Sequence, residues 1–179
     1  MSTSPGLQSE PLAWETILRT HGPMAFDTAW RLLGHTADAD DAVQEAFLDA
    51  FKLYTRQPIE NWGGLLRNLA TRRAIDRLRS RRSNMSAIET EPSAAISDEP
   101  ESAAIEHELA HRLRQAVANL PDREATVFSL RYFGEMTNPM IAETLNITLD
   151  AVGMALHKAR AKLKDALGLE GTVRKGKTS

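Results

Sequence analysis

The 179-residue chain contains no cysteine, which removes disulfides, thiolate nucleophiles and cysteine-ligated zinc from the chemistry open to it. That fits a reducing cytosol and argues against redox work. Aromatic residues make up only 6% of the chain, and its 10 glycines stand among many Ala, Leu, Arg and Glu, a balance that favours helices. No apolar run approaches the roughly 20 residues a membrane span needs, and the opening MSTSPGLQSEP lacks the basic start and apolar centre of a secretory signal. The composition reads as a soluble, cytoplasmic, all-α protein with no membrane partner. No phosphate-cradling glycine loop or nucleophile motif is present. His107 and His111 stand four apart on one helical face but lack an obvious third ligand for a metal. Catalytic residues, cofactors, metals and a small-molecule substrate are therefore all unassigned, and an enzyme is not expected.

Nor is there an excess of charge of one sign, since the formal net charge is -2. The charges are unevenly placed, however. Seven arginines (67, 72, 73, 77, 79, 81 and 82) face a single acid, Asp76, between Arg67 and Arg82, whereas seven acids and no Lys or Arg lie between Glu89 and Glu108. Nucleic-acid binding, if it occurs, must rest on that local concentration.

Residues 1–11 carry little to bury and read as a frayed tail. From 12 to 83 the pattern is helical almost throughout and predicts a first domain. Trp14, Ile17 and Leu18 share a face, Gly22-Pro23 predicts a break, and Phe26, Ala29, Trp30 and Leu33 resume the face until Gly34, which gives a two-helix hairpin. Asp38 caps or opens a third segment with apolar positions Ala42, Val43, Ala46, Phe47, Ala50, Phe51 and Tyr54, its acids gathered where the helix dipole favours them. Trp62 to Arg82 forms a fourth, whose exposed face is almost entirely arginine. Residues 84–104, rich in Ser, Ala, Glu and Pro, read as a flexible acidic linker. A second small helical domain follows at 105–168, with Asp122 at a helix N-cap and Gly134 closing that helix, and then a basic tail at 169–179.

Thr137 to Arg160 fits a helix-turn-helix. Pro139 suits a first helical turn, Ile141 and Leu145 point inward, and Ala142 is small enough for a close crossing. Asn146 stands where a left-handed backbone is needed. Val152 and Leu156 lock the second helix, with Ala159 and Leu163 extending the stripe. His157, Lys158, Arg160, Lys162 and Lys164 put cations where phosphates would lie. An ordinary helical hairpin with a solvated basic face remains the alternative for this stretch taken alone.

The two halves together resemble a known family. LPDREATVFSLRYFGEMTNPMIAETLNITLDAVGMALHKARAKL, residues 120–163, resembles region four of bacterial RNA polymerase sigma factors of the extracytoplasmic-function group. DADDAVQEAFLDAF and NWGGLLRNLATRRAIDRLRSRR resemble their region two. The resemblance covers nearly everything from Leu12 to Leu167 and implies a factor that binds core RNA polymerase and directs it to promoter DNA, with an anti-sigma factor as a possible further partner. It implies that the helix carrying Asp40, Asp41, Gln44, Glu45 and Phe47 docks on the polymerase, although Phe47 also suits the core. It implies further that Trp62, Arg67, Asn68, Arg72, Arg73, Arg77 and Arg79 capture the melted downstream element, Trp62 being a core residue or a stacking platform. The upstream element would fall to Thr148, Asp150, Ala151, Gly153, Met154, His157, Lys158 and Arg160.

Two departures stand out. The stretch before Trp62, YTRQPIEN, is shorter than the loop many relatives carry, so the downstream bases are unnamed. Gly153, Met154 and Ala155 replace the Lys, Ser and Arg more usual in the family, which leaves close approach, thymine-methyl contact or DNA shape as the means of readout, or a shift of specificity to flanking residues. Two other functions stay open at this point. One is a DNA-binding regulator that works without polymerase, and the other a sigma-like interaction protein with degenerate promoter recognition.

Overall fold

The computed structural model describes residues 11–87 and 101–169. Among them the chain forms seven helices: α1 (Pro11–Leu33), α2 (Thr36–Tyr54), α3 (Trp62–Ala87), α4 (Glu101–Ala118), α5 (Asp122–Tyr132), α6 (Asn138–Leu145) and α7 (Leu149–Ala166). The expected tails, apart from Pro11, which opens α1, and Leu169, and the middle of the expected linker, 88–100, lie outside the described residues. Its ends, 84–87 and 101–104, are helical.

The hairpin expected at Gly22-Pro23 is instead one helix that runs through Pro23. A proline inside a helix costs about 3 kcal/mol through a lost hydrogen bond and a ring clash. Here the apolar stripe continues on both sides of it. Trp14 and Ile17 before the proline, and Ala25, Ala29, Leu32 and Leu33 after it, pack against α2 and α3. At about 1.5–3 kcal/mol for each large side chain buried, that packing outweighs the break. α1 then stops at Gly34, whose φ of 68° suits glycine and whose N–H donates to the Trp30 carbonyl at 2.7 Å.

Two expected caps also differ. α2 opens at Thr36 with His35 at its N-cap and no side-chain cap bond, so Asp38 lies inside the first turn. Pro121 holds the N-cap of α5, leaving Asp122 as the first helical residue. Each aspartate is instead drawn to an arginine of α3. Beyond α5, the left-handed backbone falls on Glu135, φ 54°, and Gly134 is held by its N–H to the Ser129 carbonyl.

α1, α2 and α3 pack as an N-terminal bundle whose crossings are lined by alanine. Ala25, Ala29, Ala39, Ala42, Ala46, Ala50, Ala70 and Ala74 are all fully buried, and side chains this small let the helix backbones approach closely. One core lies around Phe47 and Leu66, closed by Trp14, Ile17, Trp62, Leu65 and Leu69. A second sits within α5, α6 and α7, built on Val127, Leu130, Met136, Ile141, Val152 and Leu156. A third spans both halves of the chain. It joins Leu32, Leu33, Ala74, Ile75 and Leu78 to Val117, Leu120, Ala125, Phe128 and Leu163.

Candidate polymerase and nucleic-acid interfaces

The two faces of α2 do different things. Asp38, Asp41, Glu45 and Asp49 recur at three- and four-residue spacing, so they share one side of the helix, and that side meets Arg73, Arg77 and Arg81 of α3. Arg73 donates from Nε to Asp49 at 2.8 Å and lies 3.2 Å from Glu45. Arg77 reaches Glu45 at 2.8 Å, Asp41 at 3.4 Å and Asp38 at 4.0 Å, and Arg81 pairs with Asp38. The hydrogen bond that Arg73 donates to Asp49 is the main reason its guanidinium is held above its usual pKa. One exposed pair contributes only about 0–1 kcal/mol, but charges linked in a network do more.

The other face of α2 is apolar and open. Asp40, Val43, Gln44, Phe47, Leu48 and Phe51 form a trough of about 850 Å³ with Trp14, Leu18, Pro23 and Phe26 of α1. Leu48 and Phe51 remain 60% and 45% exposed, which is more apolar surface than a solvated helix face requires. The five candidate polymerase-binding residues therefore divide. Asp40 and Gln44 border the trough and Phe47 forms its buried floor, while Asp41 and Glu45 are turned toward the arginines of α3. Leu18 and Phe51 escaped the sequence reading as surface residues, because at helical spacing an apolar side chain signals core, and Leu48 was not among the positions that spacing marked.

On α3 the seven candidates also separate. Trp62 packs edge-on to Trp14 at 5.7 Å and beside Tyr54 at 5.6 Å, in an aromatic cluster. Arg73 and Arg77 belong to the network with α2. Arg79 donates to the Ala118 carbonyl at 3.1 Å, the Leu120 carbonyl at 2.8 Å and Asp122 at 2.6 Å. Arg72 is exposed and has no hydrogen-bond or ion-pair partner among the described residues, and the buried Arg67 Nε and Asn68 Oδ1 are unpartnered. Asn68 and Arg72 open onto a small cleft shared with Asp122, Arg123, Thr126, Leu145 and Ile147.

The helix-turn-helix is built as its residues suggest. Thr137 caps α6 and Thr148 caps α7, each accepting a backbone N–H three residues on. Asn146 joins them at φ 50°, ψ 51° in the left-handed region. Val152, Leu156, Ala159 and Leu163 are buried as expected. Ala155 is buried with them, so it cannot belong to a reading face. Asp150, Gly153, Met154, His157 and Lys158 are exposed and Ala151 half-buried. A Cβ built on Gly153 would meet nothing within 4 Å, so packing does not demand the glycine. Arg160, also exposed, donates twice to the Tyr132 hydroxyl, at 2.9 and 2.6 Å. Tyr132 and the exposed Leu149 went unnoticed in the sequence, the former because its partner lies 28 residues away. Among the described residues no three His, Asp or Glu side chains gather as metal ligands, and no helix is long and apolar enough to cross a membrane.

A helix-turn-helix with an uncovered second helix, joined to a three-helix bundle bearing an arginine-rich helix and an apolar trough, defines a helical DNA-binding protein with a second, protein-binding surface. Comparison with known proteins gives the family. Residues 17–84 match the model for sigma-70 region 2 and residues 110–163 the model for sigma-70 region 4. The extracytoplasmic-function RNA polymerase sigma factor SigW of Bacillus subtilis is 28% identical over 169 residues, covering 87% of this chain and 89% of the relative. SigE of Mycolicibacterium smegmatis, of the same group, is 27% identical over 90% of this chain and 64% of its own length. Two solved structures share the fold. They are CnrH in complex with the cytosolic domain of CnrY (TM-score 0.52, 18% identity, covering 91% of this chain and 92% of that one), and the sigma factor RpoE with the anti-sigma factor NepR from Bartonella quintana (0.51, 14%, 89% and 99%). The chain belongs to the sigma-70 family, in its extracytoplasmic-function group.

Proposed function

We propose that this sigma factor seats core RNA polymerase in the trough between α1 and α2, reads an upstream promoter element with α7, and melts a downstream element with α3. As a family member it is a transcription initiation factor that directs the polymerase to promoters. A regulator acting without polymerase draws no support from these likenesses. In this reading the polymerase performs the chemistry, the chain works in the cytoplasm, and residues 12–83 and 105–168 are its two functional domains. An anti-sigma factor of the kind in the NepR complex is a further partner, and the exposed trough is the surface it would contest.

The observation that carries this assignment is the division of α2. A partner helix with apolar side chains and a basic edge fits the trough and its Asp40 and Gln44 rim. Asp41 and Glu45 hold α3 in place from the opposite side. On α3, Arg67, Asn68 and Arg72 have donors or acceptors unfilled by the fold and are the first contacts for a separated strand. On α7 the absence of a side chain at 153 lets the helix lie close in the major groove, with Met154 against thymine methyls and Lys158 toward phosphate. Transcription from fragmented genomic DNA of the source organism, using purified core polymerase with and without this chain, tests the proposal. RNA starts that depend on the chain and share a pair of spaced elements are expected. Core binding without new starts would refute it.

A further inference from the structure

Arg31, Arg73, Arg77, Arg79 and Arg81 each face an aspartate or glutamate, so the fold itself neutralises them. Two arginines where α5 meets α7 are treated differently. The guanidinium carbons of Arg131 and Arg160 lie 6.0 and 5.7 Å from the centre of one ring, that of Tyr132. Neither forms an ion pair among the described residues. A ring face attracts a cation only weakly at an exposed site, and it cancels no charge. Two positive groups are therefore gathered around one hydroxyl with nothing negative beside them, an arrangement that raises the local potential and attracts an anion.

The hydroxyl is well anchored. Tyr132 is the last residue of α5, and its ring packs on the buried Phe128 one turn earlier, the centroids 4.6 Å apart. Its oxygen accepts from Arg160 Nε at 2.9 Å and from Nη2 at 2.6 Å. A phenolic oxygen that accepts in this way still has its own proton to donate. That proton and Arg160 Nη1 have no partner among the described residues, and both side chains are exposed, Tyr132 by 45%. Holding a long side chain in one orientation costs rotamer entropy, and a neutral acceptor leaves the charge intact, so the bond aims the guanidinium without spending it. The aim suits DNA. Arg160 stands seven residues beyond Gly153, which is two turns along the same side of α7 and about 10 Å away. The major groove is about 12 Å wide, so a helix with Gly153 against the bases carries Arg160 to the bordering phosphates.

We infer that Tyr132 and Arg160 form a phosphate site at the rim of the groove that α7 enters: Arg160 supplies the charge, and Tyr132 fixes its orientation and adds a hydroxyl donor. The inference rests on the reading of α7 as the helix that lies in duplex DNA. Its ligand is a backbone phosphate, which sets the position of the helix and carries no sequence information. Arg131 adds positive potential from the other side of the ring. The site gives a task to Tyr132, which lies before the helix-turn-helix in the chain, and it supplies the anchoring that Gly153 and Met154, with no charge or hydrogen-bonding side chain, leave undone.

Phosphate contact is independent of sequence, so a fluorescent mixed-sequence duplex of about 30 base pairs, titrated with the full chain over a range of potassium chloride concentrations, is a sufficient probe. Each duplex phosphate neutralised contributes about -0.9 to the slope of log K against log salt. Arg160→Ala should therefore bind several-fold more weakly than the parent chain, with a slope shallower by about 0.9. Arg160→Lys keeps the charge and should restore the slope. Tyr132→Phe retains the ring on Phe128, and its helicity should match the parent by circular dichroism. It should nevertheless bind several-fold more weakly, and that loss should vanish when residue 160 is already Ala or Lys. A purely structural role for Tyr132 would leave the loss undiminished in those backgrounds and would overturn the inference. Tyr132→Phe binding like the parent, or an unchanged slope in Arg160→Ala, would overturn it too, while leaving α7 as a DNA-binding helix. A parent chain that fails to bind the duplex even at low salt would refute that reading of α7, and the site with it.

Discussion

Replacing Gly153 with alanine separates what the fold needs from what recognition needs. The residue is the fifth of the 18 in α7, it is exposed, and a methyl group there meets no atom within 4 Å. Glycine inside a helix is less favourable than alanine by about 0.8–1.0 kcal/mol, mainly through backbone entropy. With no clash to offset the gain, Gly153→Ala should stabilise the chain by nearly that amount. In a protein of this size it should raise Tm by about 2–4 °C per kcal/mol, measurable by circular dichroism, with a parallel rise in the urea midpoint. The same methyl group lies between helix and groove if α7 approaches DNA closely. Chain-dependent RNA starts should then fall at least tenfold, while binding to core polymerase is unchanged. A drop in Tm would show that the glycine serves the free fold and would refute the packing argument. A gain in stability with starts unaffected would refute close approach at 153 and move specificity to His157, Lys158 and the N-terminal turn.

Three further substitutions test other parts of the molecule. Leu48→Asp alters a residue 60% exposed on the trough, so urea unfolding should change by no more than about 0.5 kcal/mol while core-polymerase affinity, measured by fluorescence anisotropy, falls at least tenfold. Arg77→Ala removes the cation shared by Asp38, Asp41 and Glu45, and the partial exposure of these groups holds the loss to about 1 kcal/mol. That loss should shrink in 1 M salt, as screening of an ion-pair network requires. Asn146→Ala forces a Cβ without a local hydrogen-bonding group into the left-handed region and should cost about 1 kcal/mol, whereas Asn146→Gly should be neutral or slightly stabilising, as thermal unfolding of the pair would reveal.

Local signals in the sequence carried the fold a long way. Asn146 at the turn, Ala142 at the crossing and the Val152, Leu156, Ala159, Leu163 stripe are each dictated by sterics within a few residues, and each occupies the place those sterics demand. What escaped was long-range. Pro23 looked like a break because proline is a strong local signal, whereas the packing along α1 that overrides it comes from helices dozens of residues away. Asp38 and Asp122 looked like caps because the competing arginines lie at positions 77, 79 and 81. Phe51 looked like core because periodicity reports that a face is apolar but not whether a neighbour covers it, and Leu48 was not among the positions that the periodicity marked. The trough became visible only when α1 proved to be continuous.

The arginine run of α3 is the instructive case, because it leads to a number. Read along the sequence, Arg67 to Arg82 offers seven cations to a strand. In the fold, Arg73, Arg77 and Arg81 are neutralised by carboxylates of α2, and Arg79 is held by the Ala118 and Leu120 carbonyls and by Asp122. Arg67, Arg72 and Arg82 are then left for phosphates. Each phosphate neutralised on a single strand contributes about -0.7 to the slope of log K against log salt. The chain should therefore bind a single-stranded oligonucleotide with a slope of about -2, against about -5 if all seven arginines took part. A titration from low to moderate potassium chloride distinguishes the two. The steeper slope would mean that DNA draws Arg73, Arg77 and Arg81 away from α2, and that the carboxylates along that helix form a reserve the strand displaces rather than a fixed support for α3.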